Sequence, residues 1–136
     1  MAVNTKTEYA LRALIEIHTS GHISAQKICE AQSLPKKYIE HLLALLKAAG
    51  MVNSSPGSLG GYTLSKPPEE ISFADILRAV EDNSYTASCS ESSGRHCVGD
   101  GCHLSPFFNE LESKLQEIFM SYSLSDILKI WERKNT

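Results

Sequence analysis

Leu34 to Ser65 reads LPKKYIEHLLALLKAAGMVNSSPGSLGGYTLS, and this stretch decides the fold. Its first half is a helix from near Pro35 to Ala49. Proline is tolerated in a first helical turn. Tyr38, Ile39, Leu42, Leu43, Leu45 and Leu46 recur at helical spacing, and Gly50 is a natural C-terminal cap. Its second half is a hairpin. Met51–Ser54 and Gly61–Ser65 are short extended runs around Ser55-Pro56-Gly57-Ser58-Leu59-Gly60, a segment of turn formers.

Upstream, residues 6–19 carry Tyr9, Ala10, Ala13, Leu14 and Ile17 on one stripe, which predicts a helix. Ser20-Gly21 stops it. Ser24 is the expected N-cap of a second helix through Ala31, and Gln32-Ser33 breaks that one. Residues 1–66 therefore read as three helices and a hairpin, the order of a winged helix-turn-helix. That arrangement suits DNA: a helix N-terminus can offer side chains to the major groove while a wing reaches the backbone or minor groove. Lys36 and Lys37 can meet phosphates, and Glu40 can accept from a cytosine amino group. Tyr38 and His41 can contact the backbone or bases. The hairpin adds Ser55, Gly57 and Tyr62 to the expected contact set. On residue type alone, Tyr38 is equally a core residue, and the charged groups equally a solvated face.

Downstream, residues 67–82 read as a connecting helix capped by Ser72 and running to about Asp82. Phe73, Ile76, Leu77 and Val80 form its apolar face. Residues 83–103 lack periodicity and are rich in Ser, Gly and Cys, a loop long enough to suggest function or disorder. Residues 104–136 hold the most regular pattern. Leu104, Phe108, Leu111, Leu115, Ile118 and Tyr122 alternate spacings of four and three, a heptad stripe that favours a partner helix over burial within the chain. Ser123 then restarts a last helix with Leu124, Ile127, Leu128 and Trp131 apolar. The expected class is mainly α with a small β-hairpin.

The chain has 136 residues and a hydrophobic fraction of 42%, which excludes an intrinsically disordered chain. No apolar run approaches the ~18 residues of a membrane span. The polar start, Met1 to Lys6, is unlike a secretory leader, so a reducing cytoplasm is the expected location. A net charge of -3 argues at face value against nucleic acid. Its distribution argues otherwise, because residues 1–66 hold seven bases against four acids, and the remainder six bases against twelve acids. Opposite signs in the two parts can mark a nucleic-acid-binding half. No phosphate-binding glycine loop, nucleophilic serine elbow or paired carboxylates argue for an enzyme.

Of the four cysteines, Cys29 lies among apolar neighbours and reads as a core residue. Cys89, Cys97 and Cys102 share the 83–103 loop, separated by seven and four residues, with His96 and His103 beside two of them. Thiolates at such spacing suit zinc, copper(I) or an iron–sulfur cluster. Spacing alone does not separate these from three unrelated thiols or a reversible disulfide.

Several motifs together resemble one family. Thr7-Glu8-Tyr9-Ala10-Leu11-Arg12-Ala13-Leu14 opens the chain. Tyr38-Ile39-Glu40 and Ala49-Gly50-Met51-Val52 follow, then Gly60-Gly61-Tyr62-Thr63-Leu64 and Ile71-Ser72-Phe73-Ala74-Asp75-Ile76. In this order they are similar to the Rrf2 family of bacterial winged-helix transcription regulators, which includes IscR-, NsrR- and CymR-like members. The resemblance implies a homodimer on a near-palindromic operator, joined through the helix at 104–122, with Glu40 matching a base-reading glutamate. It implies an iron–sulfur cluster, 2Fe–2S or 4Fe–4S, on Cys89, Cys97 and Cys102. His103 matches the fourth ligand of IscR-like members, and Glu8 that of NsrR-like members. CymR-like members imply an alternative: the same fold without a cluster, regulated by a partner protein or by thiol oxidation. The chain departs from the pattern at Pro56, where a wing arginine is common, and in cysteine spacing, commonly five and five.

Overall fold

The structure, a computed structural model, describes residues 4–85 and 103–134. Helices α1 (Thr5–Ser20), α2 (Ala25–Gln32) and α3 (Lys36–Ala48) precede strands β1 (Val52–Ser55) and β2 (Gly61–Leu64). A 3₁₀ turn (Pro68–Glu70), α4 (Phe73–Ala79), α5 (Ser105–Ser121) and α6 (Leu124–Lys134) follow.

Local chemistry sets most of the ends. Asn4 and Ser24 cap α1 and α2 by accepting from the amides of Lys6 and Lys27. Such caps satisfy helix-end donors and contribute ~1 kcal/mol each. Ser72 and Asp75 form a reciprocal capping box at α4, and Ser123 and Asp126 repeat that exchange at α6. The hairpin is antiparallel, pairing Val52 with Leu64 and Ser55 with Gly61.

The core is the joint product of these stripes. Ala10, Ala13, Leu14 and Ile17 of α1 meet Ile28 of α2 and Ile39, Leu42, Leu43 and Leu46 of α3. It continues through Met51 and Val52 into Ile71, Ile76 and Val80, then Leu124 and Leu128 of α6. The N–H of Phe73 donates to Tyr122 at 2.8 Å, and the N–H of Leu124 donates to Ile71 at 2.7 Å. These bonds stitch the start of α4 to the start of α6. A smaller cluster joins Ala74 and Leu77 to Phe119 of α5, with Leu115 packed beside them.

Three expectations need correction. Pro35 precedes α3 as its N-cap, in extended backbone, instead of sitting in the first turn. Helix α4 ends at Ala79, short of Asp82. Its last carbonyls are taken by turning backbone: the Asp82 N–H reaches back to Leu77 at 2.9 Å, and Glu81 adopts φ 58°. No glycine signals this left-handed residue, so the sequence pattern continued past it. Trp131, grouped with the apolar face of the last helix, is exposed. Helix α6 buries Leu124 and Leu128 near its start and leaves the core beyond them.

Candidate nucleic-acid interface and sensor anchor

Helix α3 buries one face and presents another. Ile39, Leu42, Leu43 and Leu46 point inward, while Lys36, Lys37, Glu40 and His41 are exposed near its N-terminal end. Lys36 Nζ stands 4.0 Å from Glu40 Oε1, with both side chains more than half exposed. A pair of that kind is worth only ~0–1 kcal/mol, so both groups can exchange partners at little cost. Tyr38 is half-buried, with its ring edge-on to Tyr9 at 5.5 Å between centroids.

The hairpin stands beside α3 and is also tied to the start of α2. Ile23 and Tyr62 exchange backbone hydrogen bonds of 3.2 and 2.8 Å. Tyr62 is half-buried against the core, whereas Ser55 and Gly57 are exposed at the turn. The structure thus brings together Lys36, Lys37, Glu40 and His41 as outward groups, with Ser55 and Gly57 on the wing. Tyr38 and Tyr62 are half-buried beside them.

Cys89, Cys97, Cys102 and His96 lie outside the described residues. Among the described residues, no group of three His, Cys, Asp or Glu side chains forms a metal site. His103 is exposed in the turn before α5. Glu8 is exposed on the first turn of α1, where it accepts from Arg12 at 2.7 Å. Both are reachable donors, and releasing Glu8 from Arg12 costs about 1 kcal/mol at most. A nitrogen or oxygen donor completing three thiolates therefore fits the chemistry of the residues present. Cys29 is buried and in no disulfide, and burial together with the nearby Glu40 charge pushes its thiol pKa up despite Lys36 and a backbone hydrogen bond. A thiol held protonated in this way is a poor nucleophile.

One arrangement escaped sequence reading. Thr7, fully buried, donates from its hydroxyl to Asp82 at 2.5 Å. Asp82 also accepts from the Ser84 amide at 3.0 Å and hydroxyl at 2.5 Å. Lys6 Nζ donates to the Glu81 carbonyl at 2.7 Å. Burial alone would raise the Asp82 pKa, but the hydrogen bonds from Ser84 and Thr7 and the Lys6 charge outweigh it and hold the carboxyl below its ordinary value. The first turn of α1 is thereby clasped to the entry of the 83–103 loop. A faint signal existed: Thr7 falls three before Ala10 and seven before Leu14, on the buried stripe of α1.

Three helices closed by a hairpin wing, with cations at the start of the third helix, define a winged helix-turn-helix fold. The Rrf2 family model, described as an iron-dependent transcriptional regulator, matches residues 3–130. The chain belongs to that family. A helix-turn-helix-type transcriptional regulator of Neisseria meningitidis is 30% identical over 99% of this chain and 90% of its own length. One from Synechocystis is 38% identical over 61% of this chain, a match spanning only 58% of that relative. Among solved structures, T. potens IscR superposes with a TM-score of 0.77 at 28% identity, covering 100% of this chain and 92% of that one. CymR, the global cysteine regulator of B. subtilis, superposes with a TM-score of 0.76 at 25% identity, covering 96% and 98%.

Proposed function

We propose that this chain acts as a homodimeric, DNA-binding regulator that senses iron–sulfur status, redox state or nitric oxide through a cluster held by Cys89, Cys97 and Cys102. The fourth ligand is His103 or Glu8. The observation that carries the dimer is the outer face of α5. Leu104, Phe108, Leu111, Ile118 and Tyr122 are all exposed, at 39–60% of their surface. Three of these lie on α5 itself, with Leu104 and Tyr122 at its two caps, and this run is more than the scattered exposure that a monomer shows. Leu115, the remaining heptad position, packs inward on the Leu77–Phe119 cluster. It braces the helix that the partner meets.

The cluster reading is supported by the family's description as iron-dependent and by three thiols in one loop. A bound cluster would supply a centre that reacts with oxidants and nitric oxide and is lost on reaction. The chain's own residues do the coupling. Lys6 and Thr7 hold Glu81 and Asp82, so the loop departs at a fixed point beside α1. His103 stands where the chain re-enters at α5. A change in the loop therefore pulls on the DNA-binding helices at one end and the dimer helix at the other, as a switch biased by a local ligand requires.

Anaerobic purification followed by iron, sulfide and visible absorption measurements tests this reading. The expected result is stoichiometric iron and sulfide, lost on Cys97→Ala. A colourless, iron-free protein that binds DNA with full affinity would sink it. The likeness to CymR favours a second reading in that event, in which the same fold answers to a partner protein or to thiol oxidation.

A further inference from the structure

We propose that the groove between the end of α3 and α4 binds a free α-amino acid with an apolar side chain, its carboxylate taken by Lys66 and its ammonium by Glu81. This site stands apart from the cluster, and neither needs the other.

The groove holds about 450 Å³, within the range of small-ligand clefts. Its lining is apolar where the helices end. Leu45, Ala48 and Ala49 come from the last turn and cap of α3, Ala79 from the last residue of α4, and the buried Met51 from the turn into β1. The alanines leave room that larger side chains would fill. Four charged groups complete the lining. Two of them answer each other: Arg78 donates to Asp75 at 3.2 Å, and Asp75 also serves the capping box of α4. The side chains of the other two, Lys66 and Glu81, make no ion pair or hydrogen bond with the described residues.

One unanswered cation and one unanswered anion beside an apolar lining are complementary to a zwitterion with an apolar side chain. A neutral ligand would leave both charges unmet. A simple anion would face Glu81, and a simple cation would face Lys66. Helix α3 also ends at this groove, and the carbonyls of a helix C-terminus favour a positive group such as the ammonium. Position gives the site a consequence. It lies at the opposite end of α3 from Lys36 and Lys37, ~18 Å along the helix axis, so it stays open when the start of α3 meets DNA. Glu81 is moreover the residue at φ 58° whose carbonyl accepts from Lys6 at 2.7 Å, one position before Asp82. A ligand that engages its carboxylate bears on the point where the 83–103 loop departs.

The test is thermal unfolding of the full chain with each common amino acid in turn, followed by calorimetric titration of those that raise Tm. At least one of leucine, isoleucine, valine and methionine is expected to bind saturably, with Kd below ~1 mM. N-acetylation of that amino acid removes the ammonium, and amidation removes the carboxylate. Each derivative should bind about tenfold more weakly, equivalent to ~1.4 kcal/mol. Lys66→Ala and Glu81→Gln should each cause a similar loss while unfolding, without ligand, at the wild-type temperature. Ala48→Leu fills the groove from an exposed position and should abolish binding. Failure of every amino acid to bind overturns the proposal. So does equal binding of the acetylated form, or of the free amino acid by Lys66→Ala. Iron content and DNA binding are read separately, so either result leaves the function proposed above standing.

Discussion

Replacing Thr7 with valine removes one hydroxyl and nearly preserves shape, so it isolates the clasp between α1 and the loop entry. The hydroxyl donates at 2.5 Å to a carboxylate that is 8% exposed. Hydrogen bonds to charged groups contribute ~1.5–3 kcal/mol. Asp82 keeps both bonds from Ser84 at Oδ1 while Oδ2 loses the Thr7 donor, so the loss should fall near ~2 kcal/mol. For a domain of this size that lowers Tm by roughly 4–10 °C. Thermal unfolding followed by circular dichroism, at one fixed protein concentration, is the assay. Thr7→Ser retains the donor and should recover most of the loss. The effect also depends on pH. The bonds favour ionised Asp82, so its folded pKa lies below the unfolded value of ~3.9. Their contribution is complete above that value and is lost as pH falls through the lower, folded pKa. The gap between wild type and Thr7→Val should therefore close below about pH 4. A loss under ~0.5 kcal/mol, which is within ordinary surface effects, would refute the clasp. So would a gap that stays constant into acid.

Leu111→Glu places a charge on the exposed stripe of α5 and should convert a dimer to a monomer. Sedimentation equilibrium reads this directly, and an unaltered dimer would remove α5 as the interface. Lys37→Ala should weaken binding to every duplex to a similar degree and lower the salt slope by ~0.9 per subunit, ~1.8 for the dimer. A change in preferred sequence instead would make Lys37 a base reader.

The three helices, hairpin and long helix were legible because each carries its own local pattern. Helix α1 shows a stripe, α2 a serine cap, and the wing a run of turn formers between short strands. The exposed cations of α3 were legible too, since charged residues opposite an apolar stripe must face outward. The roles of Tyr38 and Tyr62 were not. An aromatic at a helix or strand edge has the same local signature whether it packs inward or reaches out. Only the Tyr9 ring and the Ile23 backbone decide that both are half-buried. The three loop cysteines stay where the sequence left them, outside the described residues.

The sequence by itself determined the class of protein. Periodicity, caps and turn chemistry act within a few residues, and here they agree along the chain. Tertiary structure alone decided how the parts are joined. Ile71, Val80 and Leu124 complete the core of the winged helix, and Leu115 turns inward while its heptad neighbours stay exposed. Thr7 finds Asp82 across 75 positions of sequence. Such a pairing has no local pattern, because a hydroxyl and a carboxylate are polar residues until folding buries them against each other.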